Sequence, residues 1–386
     1  MRRGRSGMPD AVAAAKSASP SARAIPFRVI AGVTGSVALT VLLGVAMWLF
    51  VDIEPAAKVS VSFVLAVVVY AYWLARTNES TVRYMLLVPS LLIMGLVTLA
   101  PLVYLVFISF HRVTMLNFNR EWPFVGLVNY ARLLFDDPLF VPTLVRSLQL
   151  LVFALVLQFV IGLLLALLCN RDFRARPLVA TILLLPIMTN TIVVGLLWKY
   201  MLDYQTGLIN LLLGFVNVAP QPWLTNQPLP GVTSIPWIGS WLVENLNANF
   251  GFFAIIWTNT WQWTPFVFLV LMAGLRSLPQ EPFEAATVDG ATSWQVLWYV
   301  TLPLLKPVIG VVLLIRAVDL MKSFGLIWTL FGNAPFTRIL NIHIHTLGLG
   351  SQNYSMAAAL SLVVGALSLL VYVFFRVFFL SGRTVD

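Results

Sequence analysis

Few residues in this chain have the chemistry to act on a solute. Arg316, Asp319 and Lys322 interrupt an otherwise apolar run from Pro307 to Leu330. Arg316 and Asp319 are three apart, which puts them on one helical face as mutual partners. Asn190, Thr191, Asn259, Trp261 and Gln262 also fall within apolar runs. Polar groups at such depth either bond helices to one another or line a path for a polar or charged solute. Catalysis has no candidate. The chain holds no G-x-x-x-x-G-K-[ST], no H-E-x-x-H and no G-x-S-x-G, so the usual phosphate cradle, zinc site and nucleophile elbow are missing. His111, His343 and His345 have no carboxylate at ligand spacing. His343 and His345 therefore read as polar surface residues rather than metal ligands, and no cofactor is implied.

The elements that position these groups follow from composition. Of 386 residues, 60% are apolar and 10% charged, against about 25% charged in soluble domains. Mean hydropathy is +0.90. A soluble enzyme, a disordered chain and a fibre are excluded, leaving an all-α polytopic membrane protein. The net charge of +9 is spread between apolar runs, which is a topology signal rather than a nucleic-acid patch. The single Cys169 closes an apolar run and reads as a small buried hydrophobe.

A helix crosses the hydrocarbon core in roughly 20 residues. Runs of about that length lie at Val29–Val51, Val59–Ala75, Tyr84–Phe110, Ser147–Asn170, Pro177–Trp198, Phe250–Leu275 and Tyr354–Phe375, with Pro307–Leu330 as an eighth. About eight transmembrane helices are expected, and an even number puts both termini on one side. With the termini in the cytoplasm, about twice as many Lys and Arg fall inside as outside, and Leu202–Gly251 carries neither. Residues 1–26, rich in Ala, Ser and Arg, read as a disordered cytoplasmic tail.

The loop from Arg276 to Pro307 is the most ordered connection. Pro282 suits a first helical turn, and Glu281 and Glu284 sit where the helix dipole favours acids. Gly290 can end that helix in the left-handed conformation. Ser293 is an N-cap candidate for a second short helix running to Thr301, after which Pro303 and Pro307 mark the return to the membrane. A loop this ordered, exposing Phe283, Val288 and Trp294 to the cytoplasm, calls for a folded partner.

Glu284-Ala285-Ala286 with Asp289-Gly290, followed by Thr301-Leu-Pro-Leu-Leu-x-Pro307, resembles the EAA loop of permease subunits of binding-protein-dependent ABC importers, in the carbohydrate (maltose-type) branch. Phe124-Val-Gly-Leu-x-Asn-Tyr130, Trp261-x-Trp-Thr-Pro-Phe266, Met272-Ala-Gly-Leu275, Gly207 with Asn210, and Trp223-Leu224 are similar to further segments of that family. The resemblance implies a six-helix type I permease core over residues 83–386, best matched over 142–376, preceded by two accessory helices in 27–82. Residues 225–249 form a Pro- and Trp-rich insertion relative to the family pattern. As a family member the chain would be a transport subunit and not an enzyme. It would translocate a sugar, polyol or related carbohydrate across the cytoplasmic membrane. Its partners would be a second permease, a cytoplasmic ATPase dimer and an extracytoplasmic binding protein. Glu284, Ala285, Ala286, Asp289, Gly290 and Pro303 would couple it to the ATPase. Asn190, Thr191, Asn259, Trp261, Gln262, Arg316 and Asp319 would line the pathway, with Trp261 and Trp263 able to stack on a sugar ring. The competing reading is an ion-coupled secondary transporter built on Arg316, Asp319 and Lys322.

Overall fold

The computed structural model describes residues 64, 67–68, 71–72, 79–170 and 174–380. The expected tail, the span Val29–Val51 and nearly all of Val59–Ala75 lie outside these residues. Residues 1–101 and 102–386 form two compact units; the groups discussed below belong to the second. Among the described residues the chain is helical, and its β-structure is limited to two isolated bridges.

The main helices are α1 (Glu79–Ser109), α2 (Phe140–Cys169), α3 (Arg176–Leu184), α4 (Thr191–Met201), α5 (Leu208–Phe215), α6 (Gly239–Leu246) and α7 (Phe250–Arg276), followed by α8 (Glu281–Val288), α9 (Ser293–Val296), α10 (Leu302–Met321), α11 (Gly325–Phe331), α12 (Leu340–His345) and α13 (Tyr354–Phe375). Among them, α2 and the segment Tyr354–Phe379 are long and apolar enough to cross a membrane. The 27-residue α7 is also long, but carries Thr258, Asn259, Thr260 and Gln262 in its middle.

Two expected spans are broken. Pro177–Trp198 is not one helix: α3 continues through a 3-10 turn at Pro186–Met188, then meets α4 at a bend of 100°. Pro186 removes a backbone donor, and Thr189 is extended, so the α3 helix stops. Asn190 restarts it, its side chain accepting from the Ile192 amide at 2.9 Å. Pro307–Leu330 is likewise two helices. α10 ends at Met321, and α11 begins at Gly325 after a turn through Lys322 and Phe324.

The bundle is organised around α7, which is buried along most of its length. α2 lies against it closely enough that a Cβ on Gly162 would meet Val267 Cγ1 at 2.8 Å. Small residues permit such approach where no water drives helices together. One apolar cluster gathers Leu150, Ile255, Ile327 and Leu330. A second gathers Cys169, Phe268, Leu271, Leu305 and Val312 near the other end of α7. Cys169 is buried there, as its neighbours in sequence suggested.

Candidate functional site: a solvent-facing helical loop and a buried polar cluster

The loop after α7 is built from local signals. α8 has Pro282 in its first turn with Glu281 and Glu284 beside it. Gly290 ends it at φ +72. A Cβ there would meet open space, so the demand for glycine is conformational and a side chain would cost about 1–2 kcal/mol. The Ala291 amide then bonds the Ala286 carbonyl at 3.0 Å, closing the turn.

The second helix departs from expectation twice. Its N-cap is Thr292, not Ser293. Thr292 is extended and accepts from the Gln295 amide, while the Gln295 side chain accepts from the Thr292 amide at 2.8 Å. This reciprocal pairing is a capping box, and it outcompetes a lone serine. The helix also does not stop at Thr301. It widens through a π turn, Leu297–Thr301, and runs on into α10. Pro303 explains the widening: it has no N–H to give Tyr299, and its ring would press on that carbonyl. The loop is therefore continuous in helix with α10. Its outer surface carries Glu284, Ala285 and Asp289 exposed, with Val288 at 87% and Trp294 at 67% exposure. Trp294 packs edge-on to Trp298 at 5.6 Å.

The second constellation is buried where α2, α7 and α10 meet. Arg316 is 1% exposed. Its Nε donates to Gln158 Oε1 at 2.9 Å, Nη1 to Asp319 Oδ2 at 3.2 Å and Nη2 to Asn259 Oδ1 at 3.4 Å. The guanidinium lies 4.2 Å over the Trp263 ring. Gln158 Nε2 donates to the same Asn259 oxygen at 2.8 Å. A buried charge so surrounded is held by hydrogen bonds and a π face as well as by its ion pair. The Arg316–Asp319 pairing read from their spacing is present. Asp319 is 43% exposed and opens onto a cavity of about 250 Å³ that Thr191, Asn259, Trp263 and Lys322 also line.

The remaining expected pathway residues separate. Gln262 is buried and donates to the Thr189 carbonyl at 3.3 Å and the Thr191 hydroxyl at 3.2 Å. With Asn190 it holds the bend between α3 and α4; Thr191 both takes that bond and faces the cavity. Trp261 is elsewhere. It packs edge-on to Trp198 at 5.6 Å and lines an apolar cavity of about 310 Å³ with Trp257, Leu183 and Pro186. Gln158 was missed, although it is an amide in the middle of a long aliphatic run, and that contrast was the available signal.

His343 corrects a reading. It is buried, not on the surface, with Nε2 2.7 Å from Asp137 Oδ2. α12 carries it inward beside the buried Leu340 and Ile342. His345 lies against the Trp328 ring at 4.3 Å. Among the described residues no group of three or more His, Cys, Asp or Glu is placed to hold a metal ion.

Residues 158–380 match the model of the family described as binding-protein-dependent transport system inner membrane component. The trehalose/maltose transport system permease protein MalF of Thermococcus litoralis is 32% identical over 297 residues, covering 76% of this chain and 92% of its own. The trehalose transport system permease protein SugA of Mycobacterium tuberculosis is 30% identical, over 79% and 91%. The sulfoquinovosyl glycerol transport system permease protein SmoG of Agrobacterium fabrum is 29% identical, over 76% and 89%. A bacterial ABC transporter involved in the import of the acidic polysaccharide alginate superposes with a TM-score of 0.63 over 80% of this chain and 97% of its own, at 24% identity. A bacterial alginate ABC transporter in complex with alginate pentasaccharide-bound periplasmic protein gives 0.60, over 77% and 93%, at 24% identity. This chain belongs to the family of inner membrane components of binding-protein-dependent transport systems.

Proposed function

We propose that the chain is a permease subunit of an ABC importer for a sugar, polyol or related carbohydrate, in which α8 and α9 are the contact for a separate ATPase. The carrying observation is the loop itself: two capped helical segments, exposed apolar and aromatic side chains, and an unbroken helical path from α9 into α10. A push on α8 moves α10, and with it Arg316 and Asp319. The sugar class is supported by the relatives named as permeases of trehalose/maltose, trehalose and sulfoquinovosyl glycerol transport systems. An extracytoplasmic binding protein is supported by the periplasmic protein bound to the alginate transporter.

In this reading the chain has about eight spans, two of them N-terminal to the core, with both termini in the cytoplasm of a cell whose inner membrane it crosses. It pairs with a second permease and sits on an ATPase dimer. ATP closes the ATPases, α8 and α9 follow, and the bundle turns outward as the binding protein opens. Glu284, Ala285, Ala286, Asp289, Gly290 and Pro303 transmit that motion. Asn259, Thr191, Arg316 and Asp319 present the polar wall of the solute path. Asn190, Gln262 and Trp261 shape the helices beside it. The chain performs no chemistry, and the ion-coupled reading is disfavoured: Arg316 is already engaged with Asp319 and with the Gln158 and Asn259 side chains.

The test is a proteoliposome assay of the assembled importer. Glu284→Lys and Gly290→Val are expected to insert normally yet lose ATP hydrolysis stimulated by loaded binding protein, together with uptake. Normal stimulated hydrolysis and uptake in both variants would overturn the assignment.

A further inference from the structure

The insertion between Trp223 and α7 is not explained by transport. It is tied down at both ends. The Phe250 and Gly251 amides bond the Gln227 and Thr225 carbonyls, and Pro228 bridges Asn249. Its helix α6 is fixed to α2: Asn247 Nδ2 donates to Gln149 Oε1 at 2.6 Å, Gln149 Nε2 donates to the Asn245 carbonyl, and Arg146 Nε reaches Asn247 at 3.5 Å. These anchors set its depth. From Leu148 to Leu168, α2 holds no charged residue, a length of roughly 30 Å that matches the hydrocarbon core. Arg146 and Gln149 therefore stand at one edge of that core. The loop of α8 and α9 stands at the other end of α7, roughly 40 Å away.

At this level the insertion displays Ile235, Trp237, Ile238 and Trp241. Trp237 is fully exposed, and the other three are 44–52% exposed. Trp237 is held outward on a left-handed backbone, φ +68, a conformation costly for a residue with a Cβ. On α2, Val141, Val145, Leu148 and Val152 are also exposed. Between Leu202 and Gly251 the charged residues are Asp203 and Glu244, and the basic group at this level, Arg146 of α2, is turned to Asn247. Tryptophans beside apolar side chains at the edge of a span are what the headgroup region accommodates.

We infer that residues 235–241 lie in the membrane–water interface, with Trp237 and Trp241 seated against lipid headgroups and clamping the outer ends of α2 and α7. The occupant is the bilayer surface, not a protein.

A test places a bimane fluorophore at Trp237→Cys, and separately at Trp241→Cys, in a Cys169→Ala background. The assembled importer is reconstituted in phosphatidylcholine vesicles with a minor fraction of phosphatidylglycerol. Quenching is compared for nitroxide on the headgroup, nitroxide deep in the acyl chain, and aqueous iodide, with and without the binding protein. Headgroup nitroxide is expected to quench both positions at least about two-fold more than the deep one, unchanged by the binding protein. Free iodide access without lipid quenching would place the patch in water. Lipid quenching lost on adding the binding protein would make it a protein docking surface. Protection from lipid and iodide alike would bury it against another subunit. Each of these three results overturns the inference, and either labelled position suffices to obtain it.

Discussion

The side-chain bonds that hold the α8–α9 loop join residues no more than five apart, whereas those around Arg316 reach across as many as 158 positions and three helices. The loop is capped by its own neighbouring residues. The cluster exists only when α2, α7 and α10 are in register. A lever needs the first property, and a gate that changes with bundle geometry needs the second. The π turn at Leu297–Thr301 and the helix beyond it join the two.

This contrast can be broken from either side. The largest effect belongs to the cluster. Arg316 is buried with its charge held by Asp319 and two amides, so Arg316→Met or Asp319→Asn alone should reduce folded yield or uptake more than the double variant does. A double-mutant cycle on thermal stability in detergent checks this, and additive losses would remove the pairing. Gln158→Leu comes next. It leaves Arg316 Nε without its amide, a loss of about 1–3 kcal/mol, and should lower thermal stability while leaving ATPase binding intact. Gly290→Ala is expected to cost about 1–2 kcal/mol, confined to the loop; hydrogen exchange should rise in α8 and not in α2 or α7. Thr292→Ala removes one half of the capping box for about 1 kcal/mol and should speed exchange at the Gln295 amide. Deleting residues 1–77 should have the smallest effect of all, with assembly of the importer retained, as read by subunit co-purification.

The same contrast explains what sequence reading captured. Pro282, Gly290 and Pro303 act through their own backbones, so α8 and its stop were legible from single residues. Thr292 was legible in principle, because Thr292-x-x-Gln295 is a local pattern, but the neighbouring serine drew the assignment. The Arg316–Asp319 pair was found because its members are three positions apart. Gln158 and Trp263 complete it from other helices, and no spacing along the chain encodes that meeting. The bend at Thr189 was hidden because apolar runs report burial, not straightness: Pro186 is tolerated in membrane helices when side chains such as Gln262 take up the freed groups. His343 was misplaced because its burial depends on a partner from a distant segment. Its partner Asp137 lies 206 positions away.

The central claim is that α8 and α9 meet the ATPase while the Arg316 cavity meets the solute path. The most direct measurement puts a photo-crosslinking side chain at Val288, which is 87% exposed, in the assembled importer in vesicles. The account predicts a cross-linked product with the ATPase subunit, and none from the same side chain placed at Asp319. A product at Val288 with lipid or with the second permease alone, and no ATPase adduct, would contradict it.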